Sequence, residues 1–402
     1  MNARTRTTLI ATALVLGIAA GPATAAAPAP GAARSASHQD SGTLDTAALR
    51  AAIENAGKPG ADATAALVRV GGAGGGWRGS AGVHDLKSHR PADPAGRFRA
   101  GSVTKVFTAA VVLQLAGEGR VDLNRPVRAY LPDLIPAEYD MVTVRQLLNH
   151  TSGIPSYDSG SGETVDDWYA HRFDLHDPAD MVRQATAHKP LFAPGSQQHY
   201  DNIGYTVAGL LIERVTHDAY AHQVERRILR PLHLTGSGFP GADPAIRGPH
   251  NHGYQEFPKA DGTKELRDVS VWGATEAFAA GDLISTTADL ETFLRALFKG
   301  QVVRGPQLKE MFTVPGREVR QYGSGAPAAY SAGLETLRLG GREVWGKTGG
   351  RWGYNALIAA TPDLSRTLVY SVNAVDAKGE AMNRTALGIV VAAFGRPDTP
   401  AS

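Results

Sequence analysis

The residues that predict β-strands lie near the two ends of this 402-residue chain, with a long stretch between them that shows few strand signals. Ala65–Val70 and Trp77–Val83 are joined by a glycine-rich turn and predict a hairpin. Three more segments with strand character come late, at Arg342–Lys347, Asn355–Ala360 and Thr367–Val372. We therefore expect an α/β (α+β) fold, in which both ends of the chain build one antiparallel sheet flanked by helices.

The stretch between the two groups of strands is rich in helical patterns and predicts an inserted, mostly helical lobe. We expect a single domain over residues 44–396, with an α/β part at 44–120 and 280–396 and the helical insertion at about 121–279. A cleft between two lobes is a usual place for a ligand site. Helical periodicity is present in Leu44–Ala56, Val144–Leu148, Pro178–Ala187, Gly204–Val215, Tyr220–Ile228 and Glu380–Phe394.

The start of the chain has the features of a secretory signal peptide, over residues 1–25. Arg4 and Arg6 give it a basic start, Leu9–Ala20 is a short apolar segment, and the Ala-Thr-Ala sequence that ends at residue 25 fits a cleavage site. The apolar segment is too short to span a bilayer, so we expect no stable membrane anchor. Residues 26–43 are rich in Ala, Pro and Ser and predict a disordered leader. The mature protein is therefore expected to be secreted and extracellular.

Charge and composition argue against several kinds of partner. The chain has 41 Lys and Arg against 39 Asp and Glu, and loss of Arg4 and Arg6 with the signal peptide makes the two counts equal. A near-neutral chain without a basic patch argues against nucleic acid as a partner. With no cysteine, stability must come from a packed core without disulfides. The 13 histidines are scattered, and His250 and His252 lack a third ligand nearby, so we expect no metal and no cofactor.

Ser102 and Lys105 form the only S-x-x-K sequence of the chain, directly before the apolar helical run Val106–Leu115. The spacing places the lysine amine on the same helix face as the serine hydroxyl. A serine alcohol is a weak nucleophile, and a neighbouring amine can accept its proton. The helix N-terminus also favours negative charge that develops there. The alternative is a serine that caps the helix and a lysine in solvent.

Two further motifs follow downstream, and each has a plain structural alternative. Tyr200–Asn202 (Tyr-Asp-Asn) begins 98 residues after Ser102, and a tyrosinate could accept the serine proton if nearby ammonium groups lower its pKa. The alternative is a turn that caps a helix. Lys347–Gly349 (Lys-Thr-Gly) begins 145 residues after Asn202, at the end of a predicted strand whose edge could hold a substrate backbone. The alternative there is an ordinary strand-to-turn junction.

Together, and in this order, the three motifs resemble those of serine hydrolases of the penicillin-binding protein and class C β-lactamase type. The resemblance covers roughly residues 44–396 and includes Leu147–Gly153 and the Trp352–Tyr354 segment after the third motif. It implies a β-lactamase/transpeptidase-like fold and an acyl-serine intermediate. His150, within the first of these segments, is expected to be structural. Within the family, the chain most resembles secreted D-alanyl-D-alanine carboxypeptidases.

The resemblance implies a role for each motif residue. Ser102 is the expected nucleophile, and Lys105 and Tyr200 share the transfer of its proton, with the identity of the formal base left open. The backbone N–H groups of Ser102 and Gly350 are expected to form the oxyanion hole. The remaining motif residues are expected to orient or bind the substrate: Asn202, Lys347, Thr348 and Gly349.

Two departures from the carboxypeptidase pattern leave the substrate class open. Those enzymes often carry a histidine at the position of Lys347, and they use an arginine for the terminal carboxylate where this chain has Glu335. Arg351 is our choice for that contact, with Arg338 as a second candidate, although Arg351 could equally be a turn residue in solvent. Trp272 either lines the cleft or packs as a buried aromatic.

The leading hypothesis is an exported, monomeric serine DD-peptidase that hydrolyses the D-Ala-D-Ala ends of peptidoglycan stem peptides and binds penicillin and other β-lactams. The alternatives on the same scaffold are a β-lactamase and a D-amino-acid amidase or esterase. A non-catalytic penicillin-binding or cell-wall-binding module is the alternative from another functional class.

Overall fold

The computed structural model describes residues 44–158, 164–379, 381–396 and 398. The predicted signal peptide and leader lie outside these residues, and both stay predictions. Within the described ranges, no helix is long and apolar enough to cross a membrane.

Strands from both ends of the described chain meet in one large sheet. The described residues form twelve strands: β1 (Ala63–Gly71), β2 (Trp77–Gly82), β3 (Phe98–Arg99), β4 (Gln197–Gln198), β5 (Tyr254–Pro258), β6 (Lys264–Asp268), β7 (Ile284–Ser285), β8 (Arg320–Gln321), β9 (Glu335–Leu339), β10 (Arg342–Arg351), β11 (Tyr354–Ala360) and β12 (Thr367–Ala374). Six of them form a sheet in the order β2-β1-β12-β11-β10-β9, with every neighbouring pair antiparallel. The predicted α/β fold with an antiparallel sheet is confirmed.

Helices cover both faces of this sheet. The described residues form ten α-helices: α1 (Thr46–Ile53), α2 (Thr104–Gly117), α3 (Val144–Leu148), α4 (Val165–Ala170), α5 (Pro178–Thr186), α6 (Ile203–Thr216), α7 (Tyr220–Val224), α8 (Thr287–Phe298), α9 (Gly305–Glu310) and α10 (Arg384–Phe394). A π-helical turn at Glu225–Leu229 continues α7. Six of these helices begin at a side chain that accepts a backbone N–H of the first turn: Asp45, Thr143, Thr164, Asp177, Thr286 and Asn383.

Two apolar cores lie on opposite faces of the sheet. Neighbouring residues of β12 point in opposite directions, so Val369 belongs to one core and Tyr370 to the other. Helices α1 and α10 close the smaller core, in which Leu49 is fully buried. Helices α2 and α8 close the larger core, where the rings of Phe107 and Phe293 stack with their centroids 3.7 Å apart. This three-layer arrangement buries α2 and fixes the residues at its start.

The structure differs from the sequence prediction in three strand regions. Strand β9 is not predicted, because its residues mix charged and apolar side chains without a clear period. The hairpin of β5 and β6 lies inside the stretch predicted to be mostly helical, and its strands are short and half-exposed. Strand β10 does not end at Lys347 but continues through two glycines to Arg351. The third motif is therefore strand, not a strand-to-turn junction.

Candidate active site

Ser102 lies in a 3-10 turn, Gly101–Val103, between β3 and α2. The turn begins at Gly101, whose φ of +54° favours glycine. Thr104 fixes the turn, since its Oγ1 donates to the Gly101 carbonyl at 2.7 Å and accepts from the Leu283 N–H at 3.1 Å. The half-buried serine is thus presented at the N-terminal end of a core helix, where developing negative charge is stabilised.

Lys105 is completely buried beneath Ser102. Its Nζ lies 3.3 Å from Ser102 Oγ and donates to Asn202 Oδ1 at 2.6 Å and to the Ala280 carbonyl at 3.0 Å. Burial lowers the pKa of Lys105, although the nearby Tyr200 opposes this effect. The alternative of a lysine in solvent does not apply, because this amine is shielded from water and in contact with the serine hydroxyl.

Tyr200 lies between two ammonium groups. The centroid of its ring is 4.9 Å from Lys105 Nζ and 4.7 Å from Lys347 Nζ. Burial raises the pKa of Tyr200, but the two positive charges and the nearby Ser102 hydroxyl outweigh burial and hold the pKa below the ordinary value of 10. The hydroxyl oxygen is buried and makes no well-formed hydrogen bond within the described part of the chain. This phenol ionises more readily than an ordinary tyrosine and lies beside Ser102 and Lys105, the two groups between which a proton must move.

The segment around Tyr200 is supported by a buried histidine and aspartate. Asp201 Oδ1 accepts the Gly204 N–H at 2.6 Å at the start of α6, and Asp201 Oδ2 lies 3.5 Å from His150 Nδ1. The imidazole of His150 packs on Tyr200, with ring centroids 4.6 Å apart. Burial lowers the pKa of His150 to about 4, so the ring is neutral at pH 7. His150 therefore lies behind Tyr200, a position that suits a structural role.

Strand β10 brings the third motif to the other side of Ser102. Its pairing with β9 ends at Gly346, opposite Glu335, and residues 347–351 continue past that point. Lys347 is buried and directs its ammonium toward Tyr200. Thr348 Oγ1 lies 3.4 Å from Glu335 Oε1, so the threonine hydroxyl meets a carboxylate of the protein itself.

The backbone of β10 touches the turn that carries Ser102. A Cβ added to Gly349 would lie 2.0 Å from the Ala100 carbonyl oxygen and 3.2 Å from the Ser102 nitrogen. A Cβ added to Gly101 would lie 2.8 Å from the Gly350 nitrogen. Only glycine permits this approach, and it brings the backbone nitrogens of Ser102 and Gly350 into one neighbourhood. That is the arrangement that a two-donor oxyanion hole requires.

The structure places Arg351 and Trp272 away from open solvent. Arg351 is 7% exposed, and its guanidinium forms an ion pair with Glu276. The same guanidinium lies 4.5 Å from the ring centroid of Trp272, which is fully buried and has Arg99 4.1 Å from the same ring. Trp272 thus has the position of a packed aromatic. Arg351 thus pairs with a carboxylate of the protein, and its contact with a substrate carboxylate stays a prediction.

Sequence reasoning did not identify several residues that the fold brings to this site. Glu276 lies in a short 3-10 turn, Thr275–Ala277, and no local motif marks it. Lys378 follows Ala377, whose carbonyl accepts from Asn355 Nδ2 at 3.1 Å beside the end of β10. Burial lowers the pKa of Lys378 to about 8, with the charge of Arg351 adding to the effect. Tyr330 packs on Tyr200, with ring centroids 5.0 Å apart.

The chemistry of the site is that of acyl transfer by a serine nucleophile. A hydroxyl contacts a buried amine, a phenol of lowered pKa lies beside both, and two backbone nitrogens converge opposite. Among the residues that the structure describes, no group of three or more His, Asp or Glu is arranged to hold a metal ion.

Comparison with known proteins agrees with this geometry. The family model described as Beta-lactamase matches residues 30–392. A D-stereospecific amidohydrolase from a Streptomyces species is 34% identical, with a TM-score of 0.74 over 87% of this chain and 98% of that one. The D-amino acid amidase of Ochrobactrum anthropi SV3, in complex with L-phenylalanine, is 23% identical with a TM-score of 0.70, over 86% of this chain and 97% of that one, which shows the shared fold.

A curated relative covers less of the chain. Protein flp of Staphylococcus aureus (strain NCTC 8325 / PS 47) is 28% identical over 217 residues, which is 53% of this chain. The match spans only 41% of the length of that protein. It therefore supports kinship in the matched region and carries no statement about the whole of protein flp.

Proposed function

The chain belongs to the Beta-lactamase family as a serine hydrolase, and we propose that its substrates are amides and esters of D-amino acids. The D-stereospecific amidohydrolase that matches almost the full described chain at 34% identity supports this substrate class. Ser102, Lys105 and Tyr200 supply the chemistry, and the substrate contacts decide which acyl group is accepted.

Acylation uses the contacts around Ser102. Ser102 Oγ attacks the carbonyl carbon of the substrate, and its proton passes to the Lys105–Tyr200 pair, of which Lys105 already contacts the hydroxyl at 3.3 Å. The lowered pKa of Tyr200 allows the phenolate to take up that proton and to deliver it to the leaving amine or alcohol. The N–H groups of Ser102 and Gly350 stabilise the oxyanion of the tetrahedral intermediate.

Deacylation reverses the proton transfers with water in place of the leaving group. The same Lys105–Tyr200 pair removes a proton from water as its oxygen attacks the acyl carbonyl, and the proton then returns to Ser102 Oγ as the ester bond breaks. Asn202 holds Lys105 in position through the 2.6 Å contact to Nζ. No step in this sequence requires a metal or an organic cofactor.

One observation favours an amidase over a carboxypeptidase. The guanidinium of Arg351, the sequence-based candidate for reading a terminal carboxylate, is buried and paired with Glu276. A second carboxylate, that of Glu335, lies against the Thr348 hydroxyl. The carboxylate of Glu335 disfavours a second carboxylate beside Thr348, and Arg351, whose charge is offset by Glu276, is not available to attract one.

A DD-carboxypeptidase is the second candidate, and two lysines favour it. Lys347 is a cation on the strand edge expected to hold the substrate, and Lys378 lies on the loop beside Gly350. An ammonium at either position can attract a terminal carboxylate. In that case the enzyme acts on D-Ala-D-Ala ends and forms a long-lived adduct with penicillin.

Kinetics on matched substrates separate the two candidates. We expect kcat/KM for D-phenylalanine amide to exceed that for the L-amide by at least tenfold, and a peptide amide ending in D-Ala-D-Ala to be cleaved at least as well as the free acid. A strong preference for the free acid would favour the carboxypeptidase. Penicillin labelling without turnover of any of these substrates would favour the non-catalytic module.

We also propose that the protein is exported and acts as a monomer. The predicted signal peptide supports export. The location of the substrates also supports it, because peptides with D-residues derived from the cell wall lie outside the cytoplasm. N-terminal sequencing of the secreted protein tests this proposal, and a start at Ala26 is the expected result. Retention of residues 1–25 in the protein recovered from the culture medium would contradict the predicted cleavage.

A further inference from the structure

Two guanidinium groups lie over the ring of Trp272. The guanidinium of Arg99 is 4.1 Å from the ring centroid, and that of Arg351 is 4.5 Å from it. The tryptophan is fully buried, and both arginines are less than a tenth exposed. Contacts between a guanidinium and an indole face are strongest when both groups are removed from water. The three side chains therefore form a compact stack, which we call the Trp272 stack.

The two arginines come from the two segments that supply the oxyanion donors. Arg99 ends β3, three residues before Ser102, and Arg351 directly follows Gly350 at the end of β10. These segments already touch, since a Cβ on Gly349 would lie 2.0 Å from the Ala100 carbonyl oxygen. The Trp272 stack thus connects one end of the nucleophile turn with the end of the oxyanion strand.

Each guanidinium in the stack is held by further polar contacts. Arg99 Nη2 donates to the carbonyl oxygens of Pro244 at 2.7 Å and Trp272 at 2.8 Å. Arg351 pairs with Glu276, which offsets one of the two like charges. Burial lowers the pKa of Arg99 to about 10, so the side chain is still cationic at neutral pH. Neither arginine is free to turn toward a substrate without losing these partners.

We propose that Trp272, Arg99 and Arg351 are positioning residues that set the separation between the Ser102 and Gly350 N–H groups. They act through the backbone of the nucleophile turn and of β10, without touching the substrate. A displacement of about 1 Å in reacting or stabilising groups can lower a rate by roughly 100-fold. Loosening the stack should therefore weaken stabilisation of the tetrahedral intermediate more than binding of the substrate.

The experiment compares conservative variants in the stack with one outside it. Arg351→Lys keeps the charge opposite Glu276 but loses the planar group, and Trp272→Phe keeps an aromatic ring of smaller area. Arg125→Lys is the matched control, because the Arg125 guanidinium lies 5.1 Å from the ring of Tyr130 and neither residue belongs to the aromatic cluster that contains Trp272. Thermal denaturation establishes that each variant is folded.

Two measurements report on the oxyanion donors. For Arg351→Lys and Trp272→Phe we expect kcat on D-phenylalanine amide to fall by about 10- to 100-fold while KM changes by less than about threefold. The affinity for phenylboronic acid, which forms a tetrahedral adduct on the active serine, should fall by the same factor as kcat/KM. Arg125→Lys should leave kcat, KM and the boronate affinity unchanged.

Other outcomes would overturn the proposal. A rise in KM with kcat retained in Arg351→Lys would indicate that Arg351 contacts the substrate. An unchanged boronate affinity would show that the Trp272 stack does not position the oxyanion donors. If Arg351→Lys fails to fold, Trp272→Phe and Arg99→Lys decide the question by the same criteria. The inference rests on the proposed acyl-serine chemistry but not on its substrate class. If the wild-type enzyme binds the boronate without hydrolysing D-amides, only that class fails.

Discussion

The Nζ of Lys105 lies 2.6 Å from Oδ1 of Asn202, an oxygen that its position before α6 would ordinarily direct to the helix backbone. The helix start is served instead by the neighbouring Asp201, which accepts the Gly204 N–H. Asn202 thus accepts from the Lys105 ammonium, while Asp201 accepts from the backbone of α6. The buried ammonium gains an acceptor, and α6 keeps a side-chain contact at its first turn.

The two lysines of the site are expected to respond differently to arginine. Lys105→Arg should lower kcat/KM by about 10²–10⁴-fold, because a guanidinium holds its proton and does not fit a buried site shaped for three amine contacts. Lys347→Arg keeps a positive charge near Tyr200 and should retain more activity. Steady-state kinetics on D-phenylalanine amide measure both variants, and equal losses would contradict this division of roles.

The pH dependence of kcat/KM should change when the positive charge of Lys347 is removed. The positive charge of Lys347 contributes to the lowered pKa of Tyr200, so Lys347→Met should raise that pKa. Since the ionised phenol accepts the proton, the acid limb of the kcat/KM profile should move to higher pH. Lys264→Met, which removes an exposed lysine paired with Glu256, is the control and should leave the limb in place. A limb that does not move in Lys347→Met would argue against Tyr200 as the titrating base.

His150 should make stability depend on pH in the mildly acidic range. Burial lowers its pKa from 6.5 to about 4, so the unfolded chain takes up a proton at a higher pH than the folded protein does. The free energy of unfolding should therefore be largest above about pH 6.5 and decline by up to about 3 kcal/mol toward pH 4. Urea denaturation across this range measures the decline. His150→Gln should reduce the slope, and an unchanged slope would exclude His150 as its source.

Two neighbouring glycines should differ sharply in their tolerance of alanine. Gly349→Ala places a Cβ 2.0 Å from the Ala100 carbonyl oxygen, and we expect it to cost about 3 kcal/mol or more and to remove activity. In Gly350→Ala the nearest atom, the Ala377 carbonyl oxygen, is 3.5 Å away, so the variant should fold and keep its N–H donor. Urea denaturation and amide hydrolysis test the pair. A stable, active Gly349→Ala protein would contradict the close approach of β10 to the nucleophile turn.

Local patterns in the sequence account for most of the large sheet. Strands β1, β11 and β12 coincide with apolar segments, and β2 follows β1 across a glycine-rich turn. Their pairing follows from the antiparallel connections. The strand pattern does not predict the hairpin β5–β6, although its connection contains Asp261–Gly262, a typical hairpin turn sequence. Its short strands carry charged residues at half-exposed positions, which conceals their period.

The sequence predicts the residues of the site that belong to short motifs. It does not predict the residues that reach the site only through tertiary contacts. The spacing of Ser102 and Lys105 on one helix face fixes their contact, and the two later motifs have recognisable residue types. By contrast, Glu276 reaches Arg351 across 75 positions of the chain, and no local pattern encodes that ion pair. The stacking of Arg99 and Arg351 on Trp272 likewise arises only when three distant segments fold together.

The proposed reaction passes through an intermediate in which an acyl group of D-configuration is bound to Ser102. Rapid acid quench of the wild-type enzyme with D-phenylalanine methyl ester, followed by intact-mass analysis and peptide mapping, measures this. We expect one added D-phenylalanyl group on the peptide that contains Ser102. We expect little or no adduct with the L-ester, and none in Ser102→Ala, whose thermal stability should match that of the wild type. An adduct on another residue, or equal labelling of Ser102→Ala, would contradict the proposed reaction.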